Sequence, residues 1–181
     1  MAPLTTLPMT GMEVPHTRYR LTSLQQTTLR CGVAFSVNVR EGRALLGVIE
    51  NHGNGGDTWF DAASYDIRQA MRDFVASCRW KGEPVTEEQV YGHLVDEYDL
   101  ARVAKRCART RKSLLCGRDA EGDLLHSIEA DVPTVWLARG DYPYMNQLAR
   151  ELREERPSPA SWQVWDGEEW KDLQLPAADS Q

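Results

Sequence analysis

Several absences narrow the reading of this 181-residue chain before any motif is considered. Four cysteines, Cys31, Cys78, Cys107 and Cys116, stand far apart with no CxxC pair, which excludes a zinc ribbon and a thioredoxin-type redox motif. They read as reduced core thiols. No run of about 18 apolar residues is present to span a bilayer, and the N-terminus lacks the cationic start and apolar stretch of a signal peptide. A cytoplasmic location with no membrane partner is the expectation. Only four histidines occur, and none stands in an HExxH pattern. Ser113 and Ser127 have no nucleophile elbow around them, and His93 and His126 are each alone in sequence. No catalytic residue, metal ligand or cofactor is expected, and the reading leans to a non-enzymatic protein while leaving an enzyme open.

What is present is the balance of an ordered globular chain, 41% hydrophobic and 27% charged. Its length suits one domain with a core of its own. The net charge of −6 conceals an uneven distribution. Between Ala101 and Arg118 lie seven basic residues and no acid, and the remainder of the chain holds 14 basic residues against 27 acidic ones. Such polarity orients the approach of a charged partner.

Residues 1–16 carry three prolines and no sustained periodicity, so a flexible leader is expected there. In residues 31–39 Cys31, Val33, Phe35, Val37 and Val39 alternate with small or polar residues, the pattern of a half-buried strand. Glu41-Gly42 marks a reversal, and Ala44 to Glu50 returns as the second arm of a hairpin. Ile67, Met71, Phe74, Val75 and Cys78 recur at helical spacing after a cap at Asp61 or Ser64, with Gly82 as the stop. Thr86-Glu87-Glu88-Gln89 matches a capping box. An apolar stripe follows it from Val90 to Ala108, as one helix bent near Tyr98 or two in succession.

Residues 113–116 and 123–130 predict a second hairpin, and Asp141 and Pro143 open a further helix. Beyond Pro157 and Pro159, Trp162, Trp165 and Trp170 flank a tight Asp166-Gly167 turn. The fold class is α+β: an antiparallel sheet, two or three packed helices and a C-terminal Trp-rich hairpin. The expected organisation is a leader at 1–16, a single domain at 17–156, a hairpin appendage at 157–175 and a tail at 176–181. The tryptophans read chiefly as cover for a thin core edge, with a recognition platform as the alternative.

Two segments carry the functional candidates. The loop after the first hairpin, within VIENHGNGGDTWF, gathers Glu50, Asn51, His52, Asn54 and Asp57. Carboxylate and imidazole are the ingredients of metal or acid–base chemistry, but glycines and asparagines are equally the residues of a tight turn. The turn is the favoured reading. In the basic segment Arg102, Lys105, Arg106, Arg109 and Lys112 recur at i, i+3, i+4, i+7 and i+10, a ridge along one helix face. Such a ridge suits phosphate or an acidic protein surface. The same side chains also suit a merely solvated face whose heads pair with this protein's own acids.

The residues Gly47, Ile49, Glu50, Asn51, Gly53, Gly55 and Gly56, with the helix, basic cluster and KSLLC strand that follow, resemble a set of uncharacterised small bacteriophage and bacterial proteins bearing a GxIENxGxGG hairpin. The likeness covers residues 17–130. It implies a mobile-element context and no catalytic residues. The leading expectation is therefore a binding protein that docks on a bacterial protein or nucleoprotein complex, inhibition of host defence being one version. Direct nucleic-acid binding by the basic face is the second expectation. The third is a small enzyme or ligand binder centred on the 50–57 loop.

Overall fold

The computed structural model describes residues 3–177, and the last four residues of the expected tail lie outside them. The chain forms two compact units, Met1–Asp99 and Leu100–Gln181. This differs from the single domain expected over 17–156. One sequence-continuous helix runs through the boundary, so no break in composition marks it.

The first unit holds two antiparallel sheets. In one, β3 (Tyr19–Leu29), β4 (Gly32–Glu41), β5 (Ala44–His52) and β6 (Trp59–Ala62) follow one another in sequence order. Alternation places Val37 and Val39 of β4 and Ile49 of β5 fully inside, with Val37 opposite Ile49 and Ile49 opposite Phe60. The expected hairpin is thus the centre of this sheet. Its β3 edge went unread because Gln25 to Thr28 are polar and lack a clear inward set. Gly47 is required by close approach, since a Cβ there would lie 2.2 Å from the Asp61 carbonyl oxygen and 2.6 Å from the Phe60 ring.

The second sheet is built from β1 (Thr5–Thr6), β2 (Glu13–Val14), β7 (Arg79–Trp80) and β8 (Glu83–Pro84), hydrogen-bonded in that order. The flexible leader is corrected here: Met9, Met12 and Val14 are buried, and Met12 and Val14 belong to the core cluster. Spacing alone hid them because three apolar residues on a turn and a two-residue strand show no period. Helix α1 (Tyr65–Ser77) starts where Ser64 Oγ accepts from the Ile67 N–H at 3.3 Å and buries Met71, Phe74 and Val75. It ends at Cys78 rather than at Gly82, which instead turns β7 into β8.

Helix α2 (Glu87–Thr110) is one helix of 24 residues. The capping box is realised in both directions, with the Thr86 N–H donating to Gln89 Oε1 at 2.9 Å and the Gln89 N–H to Thr86 Oγ1 at 3.2 Å. Val90, Tyr91 and Val95 join the first core, with Phe60, Met71 and Phe74. Further along, Leu100, Val103, Ala104 and Cys107 are buried.

The second unit carries one antiparallel sheet in the order β10 (Leu124–Ala130), β9 (Ser113–Arg118), β11 (Ser161–Trp165), β12 (Trp170–Asp172). Residues 113–117 of β9 are wholly buried, as suits a central strand covered on both faces. The tryptophan hairpin is therefore no appendage: β11 pairs with β9 from Ser161 opposite Arg118 to Val164 opposite Leu115. Trp162 and Val164 enter a core with Leu115, Leu137, Leu148 and Leu152. Two helices complete the unit, α3 (Thr134–Arg139) and α4 (Met145–Glu154). α4 is the helix expected after Pro143; α3 makes four helices in all among the described residues, and at six residues it is too short to show a period. The α+β class with antiparallel sheets and Trp-bearing strands near the C-terminus stands.

Candidate functional site

The Asn/Gly loop is organised by Asn51. Its Nδ2 donates to the Gly56 carbonyl at 3.2 Å and to Thr58 Oγ1 at 2.9 Å, while its Oδ1 accepts from the Gly53 N–H at 2.7 Å. Asn54 Oδ1 accepts from the Gly56 N–H at 3.1 Å. One side-chain amide thus satisfies the orphan backbone groups at both ends of the turn. Gly53 adopts φ 66°, and a Cβ on it would sit 2.5 Å from the Ala34 backbone nitrogen. Glycine is needed at that position for both reasons.

The chemical candidates of the loop do not converge. Glu50 is paired across the sheet with Ser36 and Trp59. The His52 ring stands edge-on to Trp59 with centroids 4.5 Å apart. Among the described residues no three His, Cys, Asp or Glu side chains gather as a metal site. Asp57 lines a cleft, one that it shares with α1 and the start of α2.

The basic ridge is partly consumed by its own unit. Arg106 forks onto Glu129 of β10, with Nε donating to Oε2 at 3.3 Å and Nη2 to Oε1. The guanidinium holds the Glu129 carboxyl below its usual range, and the Cys107 thiol, 3.6 Å from the same carboxylate, is pushed up to about 11 chiefly by burial. Lys112 lies 3.9 Å from Asp131 and is not on the helix, which ends at Thr110. Arg111 there turns left-handed at φ 57°, and the Lys112 N–H closes onto the Cys107 carbonyl at 3.0 Å in a Schellman arrangement. The ridge of five becomes a shorter strip of Arg102, Lys105 and Arg109, all exposed on the last turns of α2.

The other singled-out residues serve structure. The Ser113 hydroxyl is buried and donates to the Val132 carbonyl at 2.6 Å. His126 Nε2 meets the Pro157 carbonyl at 2.6 Å. Trp162 is core, and Trp165 packs edge-on against Trp170 with centroids 5.3 Å apart.

A surface that sequence reasoning missed lies in the second unit. Trp136 on α3 is 47% exposed and Tyr144 at the start of α4 is 63% exposed. Tyr142 joins them, with ring centroids 6.4 Å from Trp136 and 5.8 Å from Tyr144. Tyr142 and Tyr144 form one wall of a cleft of about 290 Å³ whose other walls carry Glu129, Asp131, Glu151 and Glu155. The available signal was the aromatic density of residues 136–144, which was absorbed into the reading of a helix start. With Glu129 taken by Arg106 and Asp131 lying 3.9 Å from Lys112, the carboxylates that would draw a cationic group against the ring faces are Glu151 and Glu155.

Comparison with family models, with curated proteins and with solved structures gives no match to this chain.

Proposed function

We propose that this is a non-enzymatic binding protein that docks on a protein partner in the bacterial cytoplasm through the aromatic, acid-walled cleft of its second unit. The observation that carries the reading is the exposure of Trp136 and Tyr144, with Tyr144 lining a cleft that also holds Glu151 and Glu155. Large aromatics left in water are the residues that dominate interface energetics once covered. Glu151 and Glu155 select the partner's chemistry, a basic segment whose lysine or arginine enters the cleft. The resemblance of the 47–56 hairpin to bacteriophage proteins is what supports a bacterial host for that partner, and inhibition of a defence complex is one version of the role.

This reading moves the docking surface away from the basic ridge. With Arg106 held by Glu129 and Lys112 beside Asp131, the ridge offers an acidic partner or nucleic acid less charge than its helical spacing suggests.

The test is capture of partners from the bacterial host by the tagged protein, with and without nuclease, for three forms. A specific partner should survive nuclease with the wild type, be lost with Trp136→Ala/Tyr144→Ala, and persist with Arg102→Ala/Lys105→Ala/Arg109→Ala. Loss with the arginine and lysine variant alone would return the interface to the ridge. Partners that vanish on nuclease treatment, with affinity falling steeply as salt rises, would make the protein a nucleic-acid binder.

A further inference from the structure

We infer that the first unit carries a separate small-molecule site for a nucleotide, in the cleft between β6, α1 and the start of α2. The cleft has a volume of about 510 Å³, within the range of pockets that hold drug-sized ligands and cofactors.

Three features meet there. Arg68 and Arg72 stand one turn apart on α1 and both line the cleft. Two like charges at that spacing repel. Neither forms an ion pair among the described residues, although Asp57, Asp61, Glu87 and Glu88 line the same cleft. Their forks are thus not spent on the protein's own carboxylates, and a phosphate group accepts such forks bidentately.

The second feature is the Trp59 indole, half-buried in the wall and packed perpendicular to the His52 ring with centroids 4.5 Å apart. A held indole is a stacking surface for a flat base. The third is the acidic side. Glu87 is engaged, since the buried Tyr91 hydroxyl donates to its Oε1 at 2.5 Å. Asp57 and Asp61 are exposed on the wall formed by β6 and the loop before it, placed to accept from sugar hydroxyls. Solvation of a helix face accounts for two exposed arginines, but not for their convergence with an indole and two carboxylates.

The same carboxylates decide between ligands of related chemistry. Inorganic phosphate gains the two guanidiniums but has no sugar to reach the acids or base to cover the indole, whereas a nucleotide engages all three. The cleft also gives the IENxGxGG loop a role: the turn ordered by Asn51 delivers Asp57 and Trp59 to one wall. This site lies in the other unit from the docking cleft and stands or falls separately from it.

Titration calorimetry of the full chain with adenosine, cytidine, guanosine and uridine 5′-monophosphates, with ribose 5-phosphate, adenosine and inorganic phosphate as controls, tests the inference. At least one nucleotide should bind tenfold or more tighter than inorganic phosphate or adenosine. Arg72→Gln and Arg68→Gln should each weaken it at least tenfold with unchanged circular dichroism. Trp59→Leu should weaken the nucleotide while leaving ribose 5-phosphate within about twofold. Absence of binding by every nucleotide at millimolar concentration, or binding indifferent to both arginine variants, would overturn the site. Phosphate binding as tightly as the nucleotides would reduce it to a simple anion site and overturn the nucleotide assignment.

Discussion

Glu97 on α2 holds the turn that precedes β2: its Oε2 accepts from the backbone N–H groups of Met9 and Thr10, each at 2.9 Å, and from the Thr10 hydroxyl at 3.2 Å. One carboxylate thereby ties residues that are 87 and 88 positions apart. Burial raises the Glu97 carboxyl, and these three donors oppose the rise. Glu97→Ala removes the oxygen that accepts from all three donors, and a buried donor that loses its acceptor costs roughly 1–3 kcal/mol. The expected outcome is a loss of at least 2 kcal/mol in urea unfolding, with the 3–16 segment becoming protease-sensitive. Glu97→Gln, which keeps one acceptor oxygen, should recover part of it. Unchanged stability in the alanine variant would show that the N-terminal segment is held by its apolar residues alone.

Asp96, the neighbouring residue, has no such compensation. Burial, reinforced by Asp99, pushes its carboxyl up to about 6. An acid raised in the folded state binds protons that the unfolded chain has released, so its stabilising contribution is full below about pH 4 and is lost as pH rises through about 6. Asp96→Asn should stabilise the protein at pH 7 by roughly 1–3 kcal/mol, from a shift of about two pK units, and flatten the pH profile between 4 and 6. Equal stability of the two forms across that window would refute the shift.

The loop after β5 is expected to be sensitive at Asn51 and Gly53 and tolerant at Asn54 and Gly55. Asn51→Asp keeps the acceptor for the Gly53 N–H but loses both donors, whereas Asn51→Ala loses all three bonds. Losses of about 1 and about 2 kcal/mol respectively should follow. Gly53→Ala drives a Cβ against the Ala34 backbone and should cost more than either, while Gly55, with open space around it, should cost only its φ 83° strain. Chemical denaturation of the four variants orders them. If Gly53→Ala is the mildest, the loop does not pack as described.

Arg111 offers a stabilising change. It is a side-chain-bearing residue held left-handed at φ 57° as the helix ends, a conformation that costs an L-residue roughly 1 kcal/mol and glycine almost nothing. Arg111→Gly should therefore raise the melting temperature by a few degrees. Arg111→Ala, which removes the charge but not the Cβ, should not. A rise with alanine equal to that with glycine would assign the gain to charge rather than to backbone strain.

Periodicity and local chemistry in the sequence were enough for the parts of the fold whose determinants are neighbours along the chain. The Ser64 cap and the Thr86–Gln89 box reappear as expected, and so does the inward alternation at Val37 and Val39, because a strand's faces and a helix's first turn are decided within a few residues. The same alternation fails at its start, where Val33 is 47% exposed and Cys31 is an exposed turn residue rather than a core thiol. The turn-forming character of Asn51 and Gly53 was legible for the same reason. Tertiary structure decided what depends on distant residues. Glu97 recruits the N-terminal segment into a core, β9 takes β11 as its neighbour, and Glu129 takes Arg106 out of a ridge that helical spacing had drawn intact. The two clefts belong to this second class: Arg72 shares a cleft with Trp59, and Tyr144 with Asp131, only across folded elements. Such meetings follow from which hydrophobic faces bury one another, and no spacing within a single segment encodes them.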